Sequence, residues 1–111
     1  MLNWSSGTRV FVATTPVDLR ASYNKLFALT ESVLKEDPMS GHWFVFTNLG
    51  RNRVKVLFWD GSGLWVCAKR LEQGRFSWPR GEHACAQLRS EELLALLSGL
   101  EVKQKAGWFR R

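Results

Sequence analysis

The cysteines and histidines are the side chains that could bind a transition metal or supply a nucleophile, and their spacing favours neither role. Cys67 and Cys85 do not form a Cys-x-x-Cys pair, and neither His42 nor His83 lies at ligand spacing from a thiol. Structural zinc sites normally bring their ligands in such closely spaced pairs. Cys67 lies within an apolar run, where a free thiol behaves as a small hydrophobic side chain. We therefore expect both thiols to be reduced and unligated, and we expect no cofactor.

The carboxylates that could hold catalytic metal ions each have a structural role. Asp18 follows a helix-start signal, Asp60 opens an Asp-Gly hairpin turn, and Glu91 and Glu92 fall in the first turn of a predicted helix. Two-metal strand transfer needs several carboxylates that converge on one site. Neither histidine has the sequence context of a catalytic triad, and no glycine-rich phosphate loop precedes a helix. The sequence therefore predicts a protein that is not an enzyme.

Charge and aromatic content are the two features of composition that depart from the average. The 111 residues include 16 Lys and Arg against 10 Asp and Glu, a net charge of +6, together with 6 Trp and 7 Phe. Such a composition favours nucleic acid as partner first, an acidic protein second and a membrane surface third, with a merely solvated basic surface as the alternative. Four Trp lie in predicted strands, where large rings are more often core than stacking platforms for bases. These four are Trp43, Trp59, Trp65 and Trp78.

The length fits one domain, and no segment predicts a membrane or secretory location. The longest apolar runs, 64–68 and 93–97, are too short to cross a bilayer. The first residues lack the basic stretch and apolar core of a secretory signal. We therefore expect a cytoplasmic protein without a membrane partner.

The first half of the chain predicts one strand and one long helix. Residues 9–14 are rich in Val and Phe and predict a strand. Thr15 then offers an N-cap hydroxyl before Pro16, which predicts a helix over 16–35 that ends before Pro38. An apolar stripe follows at steps of three and four residues: Leu19, Tyr23, Leu26, Phe27, Thr30, Val33 and Leu34. Four of its members are expected to be buried, namely Leu19, Tyr23, Leu26 and Val33.

The second half predicts strands and a short helix. Aromatic and β-branched runs separated by turn signals occupy residues 42–47, 53–59, 64–71 and 75–78, with a weak run at 83–88. Connections this short favour antiparallel neighbours. A leucine-rich helix begins at Ser90, and residues 101–111 form a basic tail. We predict one α+β domain over 1–100: an antiparallel β-meander of four to six strands, a long helix on one face and a short C-terminal helix.

Five blocks of sequence carry a resemblance to a known family. In order they are residues 16–20 (PVDLR), 41–46 (GHWFVF), 55–63 (KVLFWDGSG), 69–79 (KRLEQGRFSWP) and 97–100 (LSGL). Together they resemble the TnpB-like accessory protein encoded by the second open reading frame of insertion sequence 66 type elements. The resemblance implies an accessory role beside a separate, larger transposase. The resemblance identifies no catalytic residues. It implies the transposase or another element-encoded protein as partner, with DNA as a further candidate.

The chain departs from the family pattern at two places. Many relatives have several Arg in the turn after the Phe-Val-Phe strand, where this chain has Thr47, Leu49 and Gly50. In the first helix, Asn24 and Lys25 precede Leu26, where relatives often have a Gly before the Leu. The first departure weakens the prediction that this turn alone holds DNA.

The turn at 60–63 predicts where the basic residues lie on the sheet. An even-numbered loop places Arg53 opposite Arg70 and Lys55 opposite Ala68, so that three cations share one face. Directly opposed like charges destabilise a sheet unless an anion or acidic side chain lies between them. Arg51 and Arg75 in the flanking turns extend this group. The candidate DNA-binding residues are Arg51, Arg53, Lys55, Arg70 and Arg75.

Two function classes stay open at this point. In the first, the protein is a DNA-contacting accessory whose cations bind phosphates. In the second, it is a protein-only adaptor that docks on the transposase or another element-encoded protein. The alternative for the cations themselves is a solvated surface with Glu72 as counter-ion, and an odd-numbered loop would change the strand pairing. A basic cluster confined to one face favours DNA, whereas scattered charge beside an exposed apolar patch favours an adaptor.

Overall fold

A computed structural model describes residues 7–20 and 22–99 of the chain. Its strands and helices form an α+β architecture, as the sequence predicts. In chain order the elements are β1 (Val10–Ala13), α1 (Tyr23–Ser32), β2 (Trp43–Thr47), β3 (Arg53–Trp59), β4 (Leu64–Arg70), β5 (Cys85–Leu88) and α2 (Ser90–Leu97). The predicted basic tail at 101–111 lies outside the described residues.

The strands form one mixed sheet in the order β4-β3-β2-β1-β5. β2, β3 and β4 are antiparallel neighbours joined by short turns, and β5 pairs antiparallel with β1. β1, however, pairs with β2 in parallel, so the prediction of an all-antiparallel meander is wrong. The reason is the long connection that carries α1 between β1 and β2. It crosses the sheet and returns the chain to the same end before the next strand begins.

The first helix is shorter than its sequence pattern predicts. It begins at Tyr23 rather than at Pro16, because the preceding segment packs against the sheet instead. The Val17 N–H donates a 2.8 Å hydrogen bond to the Thr47 carbonyl oxygen at the end of β2. Leu19 is therefore buried from a non-helical segment and not from a helix face.

The burial predicted for the helix stripe is confirmed at some positions and wrong at others. Leu19 and Leu26 are buried, as predicted. Tyr23 exposes 47% of its surface because it stands at the first turn of the shortened helix, so its predicted burial is wrong. Val33 follows the last helical residue and is only half-buried.

Apolar cores cover both faces of the sheet. Successive residues in a strand point to opposite faces, so each strand contributes to both cores. On the α1 face the buried residues are Phe11, Ala13, Leu19, Leu26, Leu34, Phe44, Phe46 and Leu57. On the α2 face they are Val10, Val12, Val45, Val54, Val56, Phe58, Phe76, Trp78, Leu88, Leu93 and Leu96.

The aromatic run at 75–78 is not a strand, although its rings are buried as the sequence suggests. The Phe76 N–H donates a 2.7 Å hydrogen bond to the Arg51 carbonyl oxygen, so the segment lies against a turn rather than beside a strand. Trp78 is buried, and its Nε1–H donates a 2.8 Å hydrogen bond to the Ala13 carbonyl oxygen at the end of β1. A covering segment and a strand share the same aromatic composition, so the sequence could not separate them.

Trp78→Phe should lower the free energy of unfolding by about 2 to 4 kcal/mol. The change leaves the buried Ala13 oxygen without its indole donor and removes buried ring volume. Urea denaturation of both proteins measures the difference.

Trp65→Phe is the matched control, because it also removes an indole hydrogen bond, from a ring that exposes 39% of its surface. The free energy of unfolding should fall by less than about 1 kcal/mol in this variant. Equal losses in the two variants would contradict the role assigned to the Trp78 hydrogen bond.

Candidate nucleic-acid interface

The turn between β3 and β4 sets the geometry of the predicted basic site. The Asp60 N–H donates to the Gly63 carbonyl oxygen at 3.0 Å, which closes a tight turn with Gly61 at a φ of 105°. Asp60 Oδ1 accepts hydrogen bonds from the Ser62 and Gly63 backbone N–H groups at 2.8 and 2.9 Å. Its Oδ2 accepts a 2.7 Å hydrogen bond from Trp65 Nε1. These bonds to its carboxylate lower the pKa of Asp60 from 3.8 to about 2.

The strand register that follows from this turn is the one predicted from the sequence. Arg53 pairs with Arg70, and Lys55 pairs with Ala68. Leu57, two residues beyond Lys55, is buried in the core on the α1 face. Arg53 and Lys55 therefore project toward the α1 face, and Arg70 projects beside them from the neighbouring strand. The prediction that three cations share one face is confirmed.

An open groove of about 590 Å³ runs along these cations on the α1 face. Arg20, from the segment that precedes α1, and Glu72 also line this groove. We call the surface formed by Arg20, Arg53, Lys55 and Arg70 the basic groove. Lys69 also borders it, but the Lys69 side chain is directed elsewhere, because its Nζ donates a 2.8 Å hydrogen bond to the Leu97 carbonyl oxygen at the end of α2.

Two carboxylates partly neutralise the basic groove. Asp18 forms a 2.8 Å ion pair with Arg20, whose hydrogen bonds hold the pKa of Asp18 well below its ordinary value. Glu72 forms a 3.2 Å ion pair with Arg70. Both pairs are exposed, and exposed ion pairs contribute little stability and exchange readily. No carboxylate of the described chain lies within 4.0 Å of Arg53. Of the groove cations, Arg20 and Arg70 are thus paired with exposed carboxylates.

The two other candidate residues lie at the same end of the sheet but do not line the basic groove. Arg51 occupies the β2–β3 turn with a left-handed backbone, at a φ of 56°. Its carbonyl oxygen accepts the Phe76 N–H, which places Arg75 beside this turn. Arg51 Nε is buried and has no hydrogen-bond partner among the described residues. The structure therefore brings Arg53, Lys55 and Arg70 together and places Arg51 and Arg75 next to them as a separate pair.

Arg20 is the groove residue that the sequence analysis missed. The predicted helix over 16–35 includes Arg20, and a position in that helix does not indicate that its side chain lies beside the sheet. The available signal is Asp18, two residues after Pro16, because an Asp side chain in a turn accepts a hydrogen bond from the backbone two residues on, here the Arg20 N–H at 3.0 Å. The same segment borders a second hollow of about 720 Å³, which is also lined by Asn48, Leu49 and Gly50. The β2–β3 turn thus lies beside the basic groove.

The cysteines and His42 are the other side chains whose chemistry could support a functional site. Cys67 and Cys85 are free thiols, and burial raises the pKa of the Cys85 thiol. His42 Nδ1 accepts a 3.0 Å hydrogen bond from the Arg9 N–H. Within residues 7–20 and 22–99, no group of three potential ligands is placed to hold a metal ion. In that same part of the chain, no helix has the length and apolar character needed to span a membrane.

Comparison with known proteins places the chain in a family. Residues 8–107 match the family described as IS66 Orf2-like protein. The chain belongs to the IS66 Orf2-like family. This confirms the resemblance drawn from the sequence blocks, and it associates the chain with the accessory proteins of transposition.

Two relatives of the IS66 Orf2-like protein come from Sinorhizobium fredii. The uncharacterized protein y4jC is 40% identical over 108 residues, which cover 95% of this chain and 92% of y4jC. The uncharacterized protein y4hO is 36% identical over 101 residues, which cover 91% of this chain and 88% of y4hO. No solved structure gives a significant match.

The Asp60 carboxyl should titrate near pH 2 in the folded protein. Its folded pKa lies below its unfolded value of about 4, so its contribution to stability is present above that unfolded value and is lost as the pH falls from about 4 to about 2. Carbon-detected NMR titration measures the midpoint directly.

Trp65→Phe tests the cause of this shift, since it removes one of the donors to the Asp60 carboxylate. The Asp60 midpoint should move upward in this variant. An Asp60 that titrates at its ordinary value in both proteins would contradict the hydrogen-bond network described for the turn.

Proposed function

We propose that this IS66 Orf2-like protein is a non-catalytic accessory factor of transposition that contacts DNA through the basic groove. The observation that carries the proposal is the direct opposition of Arg53 and Arg70 across β3 and β4, with Lys55 on the same face. Opposed cations cost stability in the free protein, and the exposed Arg70–Glu72 ion pair offsets that cost only in part. A line of phosphates supplies the anions that remove this cost, and it supplies them without regard to sequence.

The shape of the site also supports contact with a polyanion. The groove is open and runs along two strands, which suits an extended backbone better than an enclosed small molecule. Arg20 and Arg70 each have an exposed carboxylate partner that a phosphate can replace at little cost. Arg51, in the β2–β3 turn, and Arg75, beside that turn, extend the proposed contact at the same end of the sheet.

Duplex DNA binding should weaken steeply as salt increases. Each phosphate engaged contributes about −0.9 to the slope of log affinity against log salt, so three to five cations predict a slope between about −3 and −5. Replacing Arg53 and Arg70 together by Gln should reduce the magnitude of this slope by about two, with the fold intact. Fluorescence anisotropy over a salt series measures both slopes.

A matched control separates the groove from net charge. Lys35→Gln with Arg80→Gln removes the same charge from two exposed positions that do not line the groove. This control should keep the wild-type slope. Equal slopes for wild type and the Arg53, Arg70 variant, or no binding at low salt, would overturn the proposed DNA contact.

A protein-only adaptor is the second candidate, and exposed apolar side chains favour it. Leu49 exposes 82% of its surface in the β2–β3 turn, and Leu94 exposes 65% on α2. Co-purification with the transposase, with and without nuclease, separates the two functions. Association that survives nuclease and is lost in Leu49→Ser or Leu94→Ser supports the adaptor, whereas association lost on nuclease treatment supports DNA contact.

A further inference from the structure

β4 is an outer strand of the sheet, and its hydrogen bonds show which of its backbone groups face outward. At the turn end of the β3–β4 ladder, the Asp60 N–H donates a hydrogen bond to the Gly63 carbonyl oxygen. At the other end of the ladder, the Leu71 N–H donates to the Asn52 carbonyl oxygen. Hydrogen-bonded and non-hydrogen-bonded pairs alternate along an antiparallel ladder. The residues of β4 that bond to β3 are therefore Trp65, Cys67 and Lys69. Those whose N–H and carbonyl groups face away from β3 are Leu64, Val66, Ala68 and Arg70.

No strand of the described chain pairs with this outer side of β4. The strand is seven residues long and has neither a proline nor a bulge, and its charged residues are confined to one end. Natural sheets usually protect such an edge, because unpaired N–H and carbonyl groups form a template for another strand. An edge left in this state favours association.

We infer that β4 pairs antiparallel with β4 of a second copy of this chain, so that two sheets join into one about a two-fold axis at Cys67. The register follows from the outward-facing groups. Centring the pair on Cys67 lets all four outward residues form hydrogen-bonded pairs, with Leu64 opposite Arg70 and Val66 opposite Ala68 of the other copy. Other registers leave some of these groups unpaired.

The distribution of apolar and basic residues along β4 makes the strand complementary to a second copy of itself in the antiparallel direction. A parallel pairing in register would place Lys69 and Arg70 beside their own copies, and directly neighbouring like charges are destabilising. The antiparallel pairing instead places the Lys69 stem against Trp65 of the other copy. Trp65 exposes 39% of its surface, and the hydrogen bond from Lys69 Nζ to the Leu97 carbonyl oxygen holds the Lys69 stem on the same face of the sheet as Trp65. The apolar end of each strand thus meets the basic end of the other.

The symmetry of this dimer determines how the two basic grooves of the proposed DNA contact are placed relative to each other. A two-fold axis perpendicular to a continuous sheet keeps equivalent faces on one side. The two basic grooves would then lie on one common face, on either side of the axis. The dimer itself does not depend on DNA, so its tests and those of DNA binding fail independently.

Cys67 provides a direct test on the intact protein. It would form a non-hydrogen-bonded pair with its own copy, at a Cα separation of about 4.5 Å, within the range of about 4.4–6.8 Å that a disulfide spans. Diamide, which accepts the two electrons and two protons released by a pair of thiols, should convert the protein into a covalent dimer. Cys67→Ser should abolish this product. Cys85→Ser should leave it unchanged, which makes the cysteine on β5 the control.

Proline substitution tests the backbone pairing separately. Ala68→Pro removes an outward-facing N–H and no hydrogen bond to β3. It should weaken dimerisation about thirtyfold or more, measured by sedimentation equilibrium, because the two-fold axis doubles the lost hydrogen bond. On β5, the Thr14 N–H bond to the Ala84 carbonyl oxygen places the Gln87 N–H outward too, so Gln87→Pro is the matched control and should dimerise normally.

Crosslinking and sedimentation together test whether β4 pairs with its copy. A dimer that crosslinks through Cys67 and is weakened by Ala68→Pro would support the proposed pairing of β4 with its copy. Wild-type protein that sediments as a monomer at micromolar to millimolar concentration, or that crosslinks only through Cys85, would overturn it. A dimer that Ala68→Pro leaves intact while Cys67 fails to crosslink would also overturn it, since that dimer must use another surface.

Discussion

The Asp60 carboxylate fixes the register of the two strands on which the candidate site depends. Its hydrogen bonds to the Ser62 and Gly63 N–H groups and to the Trp65 indole hold the turn at one length. A slip of one residue would move every side chain of β4 to the opposite face. The opposition of Arg53 and Arg70 therefore exists because a carboxylate at the far end of the hairpin determines it.

The residues that stabilise the domain and the candidate DNA-binding residues lie in different parts of the sheet. All residues of β1 are buried, as are the last four of β2, and apolar cores cover them on both faces. β3 and β4 carry the cations toward one end, where the core no longer covers them. This division lets the domain tolerate opposed like charges, since burial around the central strands offsets their cost.

Local signals predicted much of this arrangement. The Asp-Gly turn and the alternation of apolar residues predicted the β3–β4 pairing, and with it the face shared by Arg53, Lys55 and Arg70. Patterns that depend on distant partners were misassigned. The apolar spacing at Leu19 resembled a helix face, but its segment is held by a hydrogen bond from Val17 to Thr47 in β2. The run that contains Phe76 and Trp78 resembled a strand, but it covers the α2 face of the sheet.

Short-range chemistry controls the turn at Asp60 and the side chains that alternate along β3 and β4, so both could be predicted from the sequence, as could the family to which the chain belongs. Long-range packing fixes the parallel pairing of β1 with β2, the approach of Arg20 to the sheet and the position of β4 at one end of the described strand order. The physical reason is that turns and strand alternation depend on neighbouring residues. Strand order and the path of a crossing segment depend instead on which surfaces bury one another, and those surfaces lie far apart in the chain.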